Sequence, residues 1–513
     1  MESNKSRICV SICERTIEAI QQACARVGDL GDLVEVRLDC LDLFQGGETF
    51  HDLESLLQNI PRPVIVTYRP VEQGGQQQLD AKSRLVFWLF KRPDAELFDI
   101  EFDIATPPSL LHYGKDIDWS RVICSYHNFH GVPANLFHIY ERMLSSPARI
   151  LKIAVQANDA TDCIPVLKLL ERGLKEGREM IAIAMGTAGV ATRILGPSRG
   201  AFLTYAALEH EAATAPGQIS ARELREVYRL EKIDRGTQIF GLTGLPVSHS
   251  VSPQVHNAAF DAVGINAVYI PFEVRDVEAF IRRMVHPRTR EIDWNMRGLS
   301  VTAPHKTAVM DHLDWIEPAA QEIGAVNTIL VADDVLQGYN TDATGFLKPL
   351  MQKFGPLRDV RCAVIGSGGA ASAAVWALSQ ERAKVTIFAR NAKSAESLAG
   401  KAAATWDFLE GSVFAGFDVV INATTQGTAG QCESETPAIA RQLRGARLAY
   451  DLVYNPGETK FLREARGAGC ETLGGLSMLV AQAAEQFRLW TGAIGCESVM
   501  FDAAERALGR KQR

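Results

Sequence analysis

The chain has 513 residues, too many for one compact domain at roughly 100 to 200 residues per domain. Its composition, 47% hydrophobic and 22% charged, excludes a mainly disordered chain. A net charge of −7 gives no support to nucleic-acid binding, so any anionic ligand needs a local cluster of cations.

The amino terminus, MESNKSRICV, has neither the apolar core of a signal peptide nor an Arg/Ser-rich transit pattern. Eight short apolar runs follow: RICVSI (7–12), LVEVRL (33–38), PVIVTY (63–68), LFDIEF (97–102), RVICSY (121–126), RILKIAV (149–155), EMIAIAM (179–185) and GAFLTYA (200–206). Stretches of helical character separate them, for example 14–27 and 159–176. Continuous apolar strands alternating with helices imply a parallel sheet covered on both faces. Eight units in this length fit a (β/α)8 barrel, with an open doubly wound sheet as the alternative.

Reactive side chains of such a barrel gather at the C-terminal strand ends. Those ends carry Glu35, Arg37, Arg69, Glu101, His127 and Lys152, with Arg193 in the loop after the seventh strand. Lys152 interrupts an apolar run. A buried lysine loses solvation, and its neutral amine can form a Schiff base with a ketone. His127 on the neighbouring strand is the candidate proton shuttle. The arginines suit a carboxylate substrate, Arg193 above all. Gln218, in the polar loop TAPGQ (214–218), reads equally as a substrate contact or a plain loop residue.

The motifs EVR (35–37), TYRP (67–70), SYHNF (125–129), LKIAV (151–155), GVATR (189–193) and TAPGQ resemble type I 3-dehydroquinate dehydratase over about residues 5–230. The resemblance implies that Lys152 forms the imine and His127 is the general acid/base. It implies that Glu35, Arg37, Arg69, Arg193, Thr214 and Gln218 hold the substrate. One departure is visible: the family often reads TYRPxxEGG, whereas here Gln73 stands before the glycines and Glu72 one place earlier. Both stay outside the expected catalytic set.

A charged junction, EKIDRG (231–236), marks the expected boundary between domains 1–232 and 236–513. Strand patterns follow near 238–243, 268–273, 298–302 and 328–332, and then VIGSGGAA (364–371). This is G-x-G-x-x-A between a strand and a helix, the pattern of a dinucleotide loop. It marks Gly366, Gly368, Gly369, Ala370 and Ala371 as pyrophosphate contacts at a helix N-terminus. The next strand, KVTIFA, ends at Arg390-Asn391 with Lys393 beyond, and carries no carboxylate there. Cations at that point suit the 2′-phosphate of NADP rather than a bare ribose. Further strands are expected at 418–425 and 447–454, with 476–509 largely helical. Lys306 in SVTAPHK (300–306) and Asp342 in GYNTD (338–342) form a candidate proton-transfer pair for a ketone reduced by hydride; an ordinary salt bridge is the alternative. Ser250 and Ser252 are carboxylate donors or plain turn residues.

Together with GAVNT (324–328), INATTQGT (421–428), DLVYNP (451–456) and GGLSMLVAQAAEQF (474–487), these motifs resemble shikimate dehydrogenase over about residues 237–510. The resemblance implies a substrate lobe (236–340), a Rossmann NADP-binding lobe (341–475) and closing helices (476–513). It implies that Ser250 and Ser252 bind a carboxylate and that Thr302, Asn327 and Gln482 hold ring hydroxyls. Tyr454 lies near substrate, and Thr424 and Gly475 lie beside the cofactor. The expected fold is therefore a barrel followed by a two-lobed α/β dehydrogenase.

The product of the first reaction is the substrate of the second. The two resemblances thus imply a bifunctional enzyme turning 3-dehydroquinate into 3-dehydroshikimate and then shikimate. A second half preferring quinate or NAD is one alternative, and Arg390 argues against NAD. A non-catalytic regulator is another, expected to lose the reactive residues that are present here. The expected ligands are small molecules, with no resident metal. No apolar run approaches the ~18–20 residues that cross a bilayer. The ten cysteines form no CxxC pair, which reads as reduced core thiols in a cytoplasmic protein. Oligomeric state is left open.

Overall fold

The computed structural model describes residues 6–42, 50–105, 117–209, 214–430 and 432–511. The chain divides into two compact units: 1–237 with 270–284 and 290–295, and the remainder. Among the described residues no helix is long and apolar enough to cross a membrane.

The first unit is built on eight parallel strands: β1 (Ile8–Ile12), β2 (Leu33–Arg37), β3 (Val64–Thr67), β4 (Leu97–Glu101), β5 (Val122–Asn128), β6 (Ile150–Gln156), β7 (Glu179–Met185) and β8 (Thr204–Ala207). Their order is β7-β6-β5-β4-β3-β2-β1-β8, with β1 pairing both β2 and β8. Between β7 and β8 the ring is joined by a single bridge, Met180 to Ala201, and by Phe202 N–H on Met180 C=O.

Side chains two apart on a strand share a face. The inward set starts with Cys9, Leu33, Ile65, Leu97, Ile123, Ile150 and Ile181, which pack as one apolar layer. Two residues further along come Ser11, Glu35, Thr67, Asp99, Ser125 and Lys152, all buried. Two further still come Arg37, Arg69, Glu101 and His127. The sequence period alone therefore stacks a polar layer and then an ionic layer above a greasy floor.

Cys13 follows β1, and Cys40 ends the turn Leu38–Cys40 after β2. The two are joined in a disulfide with Cα atoms 5.3 Å apart. This corrects the expectation of ten reduced thiols. A separation of 27 residues matches no local motif, and only the parallel pairing of β1 with β2 brings the cysteines together. The other eight are free, and all but Cys432 are buried.

The remaining strands form two sheets. The first comprises β9 (Gln238–Gly244), β10 (Ala267–Glu273), β11 (Met296–Val301), β12 (Trp315–Ile316), β13 (Thr328–Ala332) and β14 (Val335–Tyr339), in the order β10-β9-β11-β13-β14-β12. β13 and β14 form a hairpin whose two-residue turn, Asp333-Asp334, has both φ angles positive, as a type I′ turn requires. The second comprises β15 (Arg361–Ile365), β16 (Lys384–Ala389), β17 (Thr405–Phe408), β18 (Val419–Asn422), β19 (Leu448–Asp451) and β20 (Glu471–Leu473). It is all parallel in the order β17-β16-β15-β18-β19-β20, the doubly wound 3-2-1-4-5-6 arrangement of dinucleotide-binding sheets.

Helix Asp342–Phe354 leads from one sheet to the other. It packs against helix Leu476–Thr491, where a Cβ on Gly345 would sit 2.5 Å from Gln482 Cβ. That second helix returns to the first sheet: Phe487 and Trp490 join Phe240 and Phe260 in its core.

Candidate active sites

In the barrel, Lys152 Nζ lies 2.7 Å from Asp99 Oδ2, 3.9 Å from Glu35 Oε1 and 4.2 Å above the Tyr205 ring. Burial pulls its pKa below that of an ordinary lysine, against the opposing pull of Asp99. Asp99 is itself tied down: its Oδ1 accepts from Ser125 at 2.5 Å and its Oδ2 also meets Arg69 at 2.8 Å. Glu35 is held from both sides, by Ser11 (2.6 Å) and Thr67 (2.8 Å).

His127 is buried and accompanied by Arg69 and Lys152. Burial first, and these cations second, hold its pKa well below the usual 6.5, so the imidazole is neutral at neutral pH. Its Nδ1 faces Gln73 Oε1 at 3.3 Å, and its backbone N–H donates to the same oxygen at 3.2 Å. Nε2 has no partner and is the nitrogen left for chemistry. Gln73, set aside on sequence, thus sits behind the histidine.

Arg37 is clamped by both oxygens of Asp39 (2.8 and 2.6 Å), which also accept the backbone N–H groups of Arg69 and Gln76. Arg193 differs. It lies on a short helix, Val190–Leu195, rather than in the expected loop, because the turn Thr187–Gly189 after β7 continues helically. It is 2% exposed, and among the described residues its guanidinium meets only the carbonyls of Tyr205 and Pro216, each at 3.3 Å. Burial pushes its pKa down to about 10. A buried cation held only by neutral carbonyls is expensive to maintain, and its chemistry suits an anion. Gln218 Oε1 accepts from the backbone and hydroxyl of Thr214 (2.8 and 3.2 Å), so the expected pair is brought together. Gly217, at φ +67°, presses on the Gly186 backbone, where a Cβ would come within 2.2 Å of Gly186 O.

In the second unit Lys306 Nζ meets Asp342 Oδ2 at 2.5 Å. Asp342 opens its helix. Its Oδ1 accepts from Asn327 Nδ2 at 2.8 Å, and its backbone N–H donates to Asn340 Oδ1. Asn327 Oδ1 accepts from Thr341 N–H and Thr328 Oγ1, which fixes the direction of its amide. Behind it runs a buried chain that the sequence reading missed: Tyr269 OH to Ser300, Ser300 to Gln486 Oε1, and Gln486 Nε2 to Thr328. Ser250 and Ser252 share a 3.0 Å hydroxyl contact, and Tyr454, bonded to Ser250, is pushed up by burial. Thr302 anchors its loop through Thr243 C=O, and Gln482 Nε2 donates to Leu479 C=O. Both are half-buried.

The glycine loop runs from β15 into helix Gly369–Gln380, with Gly366 at φ +120° against Ala423 and Thr424. Ala370 is half-buried and Ala371 buried in that helix. The Lys306 stem lies 3.7 Å from where a Gly369 Cβ would be, so the Lys306–Asp342 pair borders the loop. Arg390, Asn391 and Lys393 are exposed; Asn391 caps helix Ala392–Ala402, and Ser394 there touches Ser367 of the loop. Thr424 bonds Asn422, and Gly475 packs against Leu452 C=O with no room for a side chain.

The chain matches the Type I 3-dehydroquinase family over residues 8–235. It also matches the shikimate dehydrogenase substrate binding domain over 242–329, shikimate/quinate 5-dehydrogenase over 349–452 and the shikimate 5′-dehydrogenase C-terminal domain over 475–494. It is 34% identical to the chloroplastic bifunctional 3-dehydroquinate dehydratase/shikimate dehydrogenase of Arabidopsis thaliana, over 95% of this chain and 82% of that one. It is 29% identical to the shikimate biosynthesis protein AroDE of Chlamydia pneumoniae, over 94% and 95% respectively. A crystal structure of a shikimate dehydrogenase in complex with NADP+ superposes at a TM-score of 0.51 with 35% identity, covering 54% of this chain and 97% of that one.

Proposed function

The chain belongs to the family of bifunctional 3-dehydroquinate dehydratase/shikimate dehydrogenases, and from that premise we propose which residues carry each step. It is a shikimate-pathway lyase and NADP-dependent oxidoreductase, forming 3-dehydroshikimate from 3-dehydroquinate and reducing it to shikimate. We assign the first reaction to residues 1–232 and the second to 236–513, with a substrate lobe at 236–340, a cofactor lobe at 341–475 and closing helices at 476–513.

In the dehydratase, Arg193 receives the substrate carboxylate, while Glu35, Arg37, Arg69, Thr214 and Gln218 position the ring. Lys152 condenses with the ketone, losing water and leaving a protonated imine. His127 Nε2 takes the proton from the neighbouring carbon; the C–H electron pair becomes a double bond and the imine pair moves onto nitrogen. The electrons then return, the β-hydroxyl leaves, and His127 supplies the proton that makes it water; water then adds to the product imine, and the C–N bond breaks to release 3-dehydroshikimate and the Lys152 amine. The observation that carries this reading is a buried lysine amine 2.7 Å from Asp99 together with a buried histidine whose Nε2 is unpartnered.

In the reductase, Ser250 and Ser252 bind the carboxylate, and Thr302, Asn327, Gln482 and Tyr454 hold the ring. Bound NADPH supplies the hydride. Gly366, Gly368, Gly369, Ala370 and Ala371 fit its pyrophosphate, Thr424 and Gly475 border it, and Asn391 with the cations Arg390 and Lys393 fits its 2′-phosphate. Lys306 protonates the developing alkoxide while Asp342 orients the ammonium. Preserved Lys152, His127, Lys306 and Asp342 disfavour a non-catalytic regulator.

The test is a coupled assay in which purified protein, dehydroquinate and NADPH yield shikimate with loss of NADPH absorbance. Borohydride added with dehydroquinate should leave a mass adduct on Lys152; an adduct elsewhere, or none, overturns the Schiff-base role.

A further inference from the structure

Asp99 is the group that the sequence reading passed over and that the structure sets nearest the reacting nitrogen. It is buried on the adjacent strand but one to Lys152, with Ser125 of β5 between them. Its Oδ2 stands 2.7 Å from Nζ, and Ser125 and Arg69 prevent it from turning away. On the strand that begins the other side of the barrel's seam, Tyr205 presents its ring face 4.2 Å from the same nitrogen. Glu35 is further off, at 3.9 Å and already engaged by two hydroxyls.

We propose that Asp99 and Tyr205 form a cation-holding cage that keeps the imine nitrogen on Lys152 protonated through the dehydration. The proposal rests on the Schiff-base reading above. Condensation of an ammonium with a ketone gives an iminium and water with no change of charge, so one cage serves the resting and the covalent states. An unprotonated imine is a poor electron sink. A carboxylate in contact with the nitrogen, together with a π-face above it, favours the protonated form in a buried site. Arg69 on the same carboxylate opposes this, and so does burial. Two further titratable groups couple to the cluster: His127 of β5, depressed by burial, Arg69 and Lys152, and the Cys9 thiol of β1, raised by burial and by Glu35. The nitrogen is therefore balanced, able to lose a proton for attack yet charged once bonded to carbon.

The experiment uses the full chain carrying Asp99→Asn, Tyr205→Leu or Tyr205→Phe. Dehydration is followed against pH and the adduct is trapped by borohydride; reductase activity of the same chain reports its integrity. In Asp99→Asn both limbs of the pH profile should move acidward by about one unit or more, because the free amine and the imine each lose a stabilised proton. The rate at neutral pH should fall on the order of tenfold or more, with the adduct still on Lys152. Tyr205→Leu should move the limbs the same way by less, and Tyr205→Phe should restore them. A lower rate with unmoved limbs in Asp99→Asn overturns the cage and leaves Asp99 a packing role. If Asp99→Asn forms no adduct, the tyrosine pair decides, and identical limbs in Leu and Phe overturn it. An adduct missing from the unaltered protein is a different failure, that of the Schiff base itself.

Discussion

At the scale of single residues, the barrel site is an exercise in setting protonation by neighbours. Gln73 is a neutral acceptor against Nδ1 of His127, where a carboxylate would favour imidazolium. The base works only when unprotonated, and its pKa is depressed in the fold, so the part of the acid limb that His127 sets should lie below the ordinary histidine value of 6.5. Gln73→Glu should raise that pKa and move the acid limb of kcat/KM to higher pH by about one unit or more. A profile that stays in place would show that Gln73 does not govern the histidine. Lys152 was legible because a charge inside RILKIAV contradicts its surroundings. Asp99 sits in LFDIEF with the same contradiction, yet its meaning depends on which strand lies beside it. Gln73 and Gln486 carry no such signal, since amides are common on surfaces, and only tertiary contacts turn them toward His127 and Thr328.

At the scale of elements, runs buried on both faces were readable and edges were not. Each of the eight barrel strands falls on one of the apolar runs, with β5, β6 and β8 extending one or two residues beyond it. β12, β17 and β20 were missed: they span two to four residues at sheet edges, and β17 is largely exposed. The hairpin of β13 and β14 was hidden because its second strand reads as part of a polar motif. Helix packing was illegible too, although an isolated glycine inside a helical pattern is a hint of close approach. Gly345 is such a residue, with Gln482 backbone N 2.8 Å from where its Cβ would stand. Gly345→Ala should push apart the helices that carry Asp342 and Gln482. The expected cost is about 1–3 kcal/mol of stability in the second unit, with a marked loss of reductase rate and unchanged dehydration. Thermal denaturation and the two separate assays check it, and full reductase activity would count against the packing argument.

At the scale of the whole molecule, each unit has its own apolar core: one fills the barrel floor, and others lie against the two later sheets. Substitutions in one site should leave the other alone. Lys306→Ala should lower NADPH oxidation with dehydroshikimate by about two to four orders of magnitude. Dehydration should stay within about twofold, and a joint fall would refute independence. The bond between Cys13 and Cys40 adds something of another kind to the first unit. It turns the opening β–α–β stretch into a lariat, a closed covalent ring from which a short tail and the long remainder of the chain depart. Glu35 and Arg37 ride on that ring. An oxidised chain therefore enters folding with one segment already denied most of its random-coil freedom, worth roughly 3 to 4 kcal/mol in the chain-entropy account. A reduced chain must find the same strand pairing from an open coil.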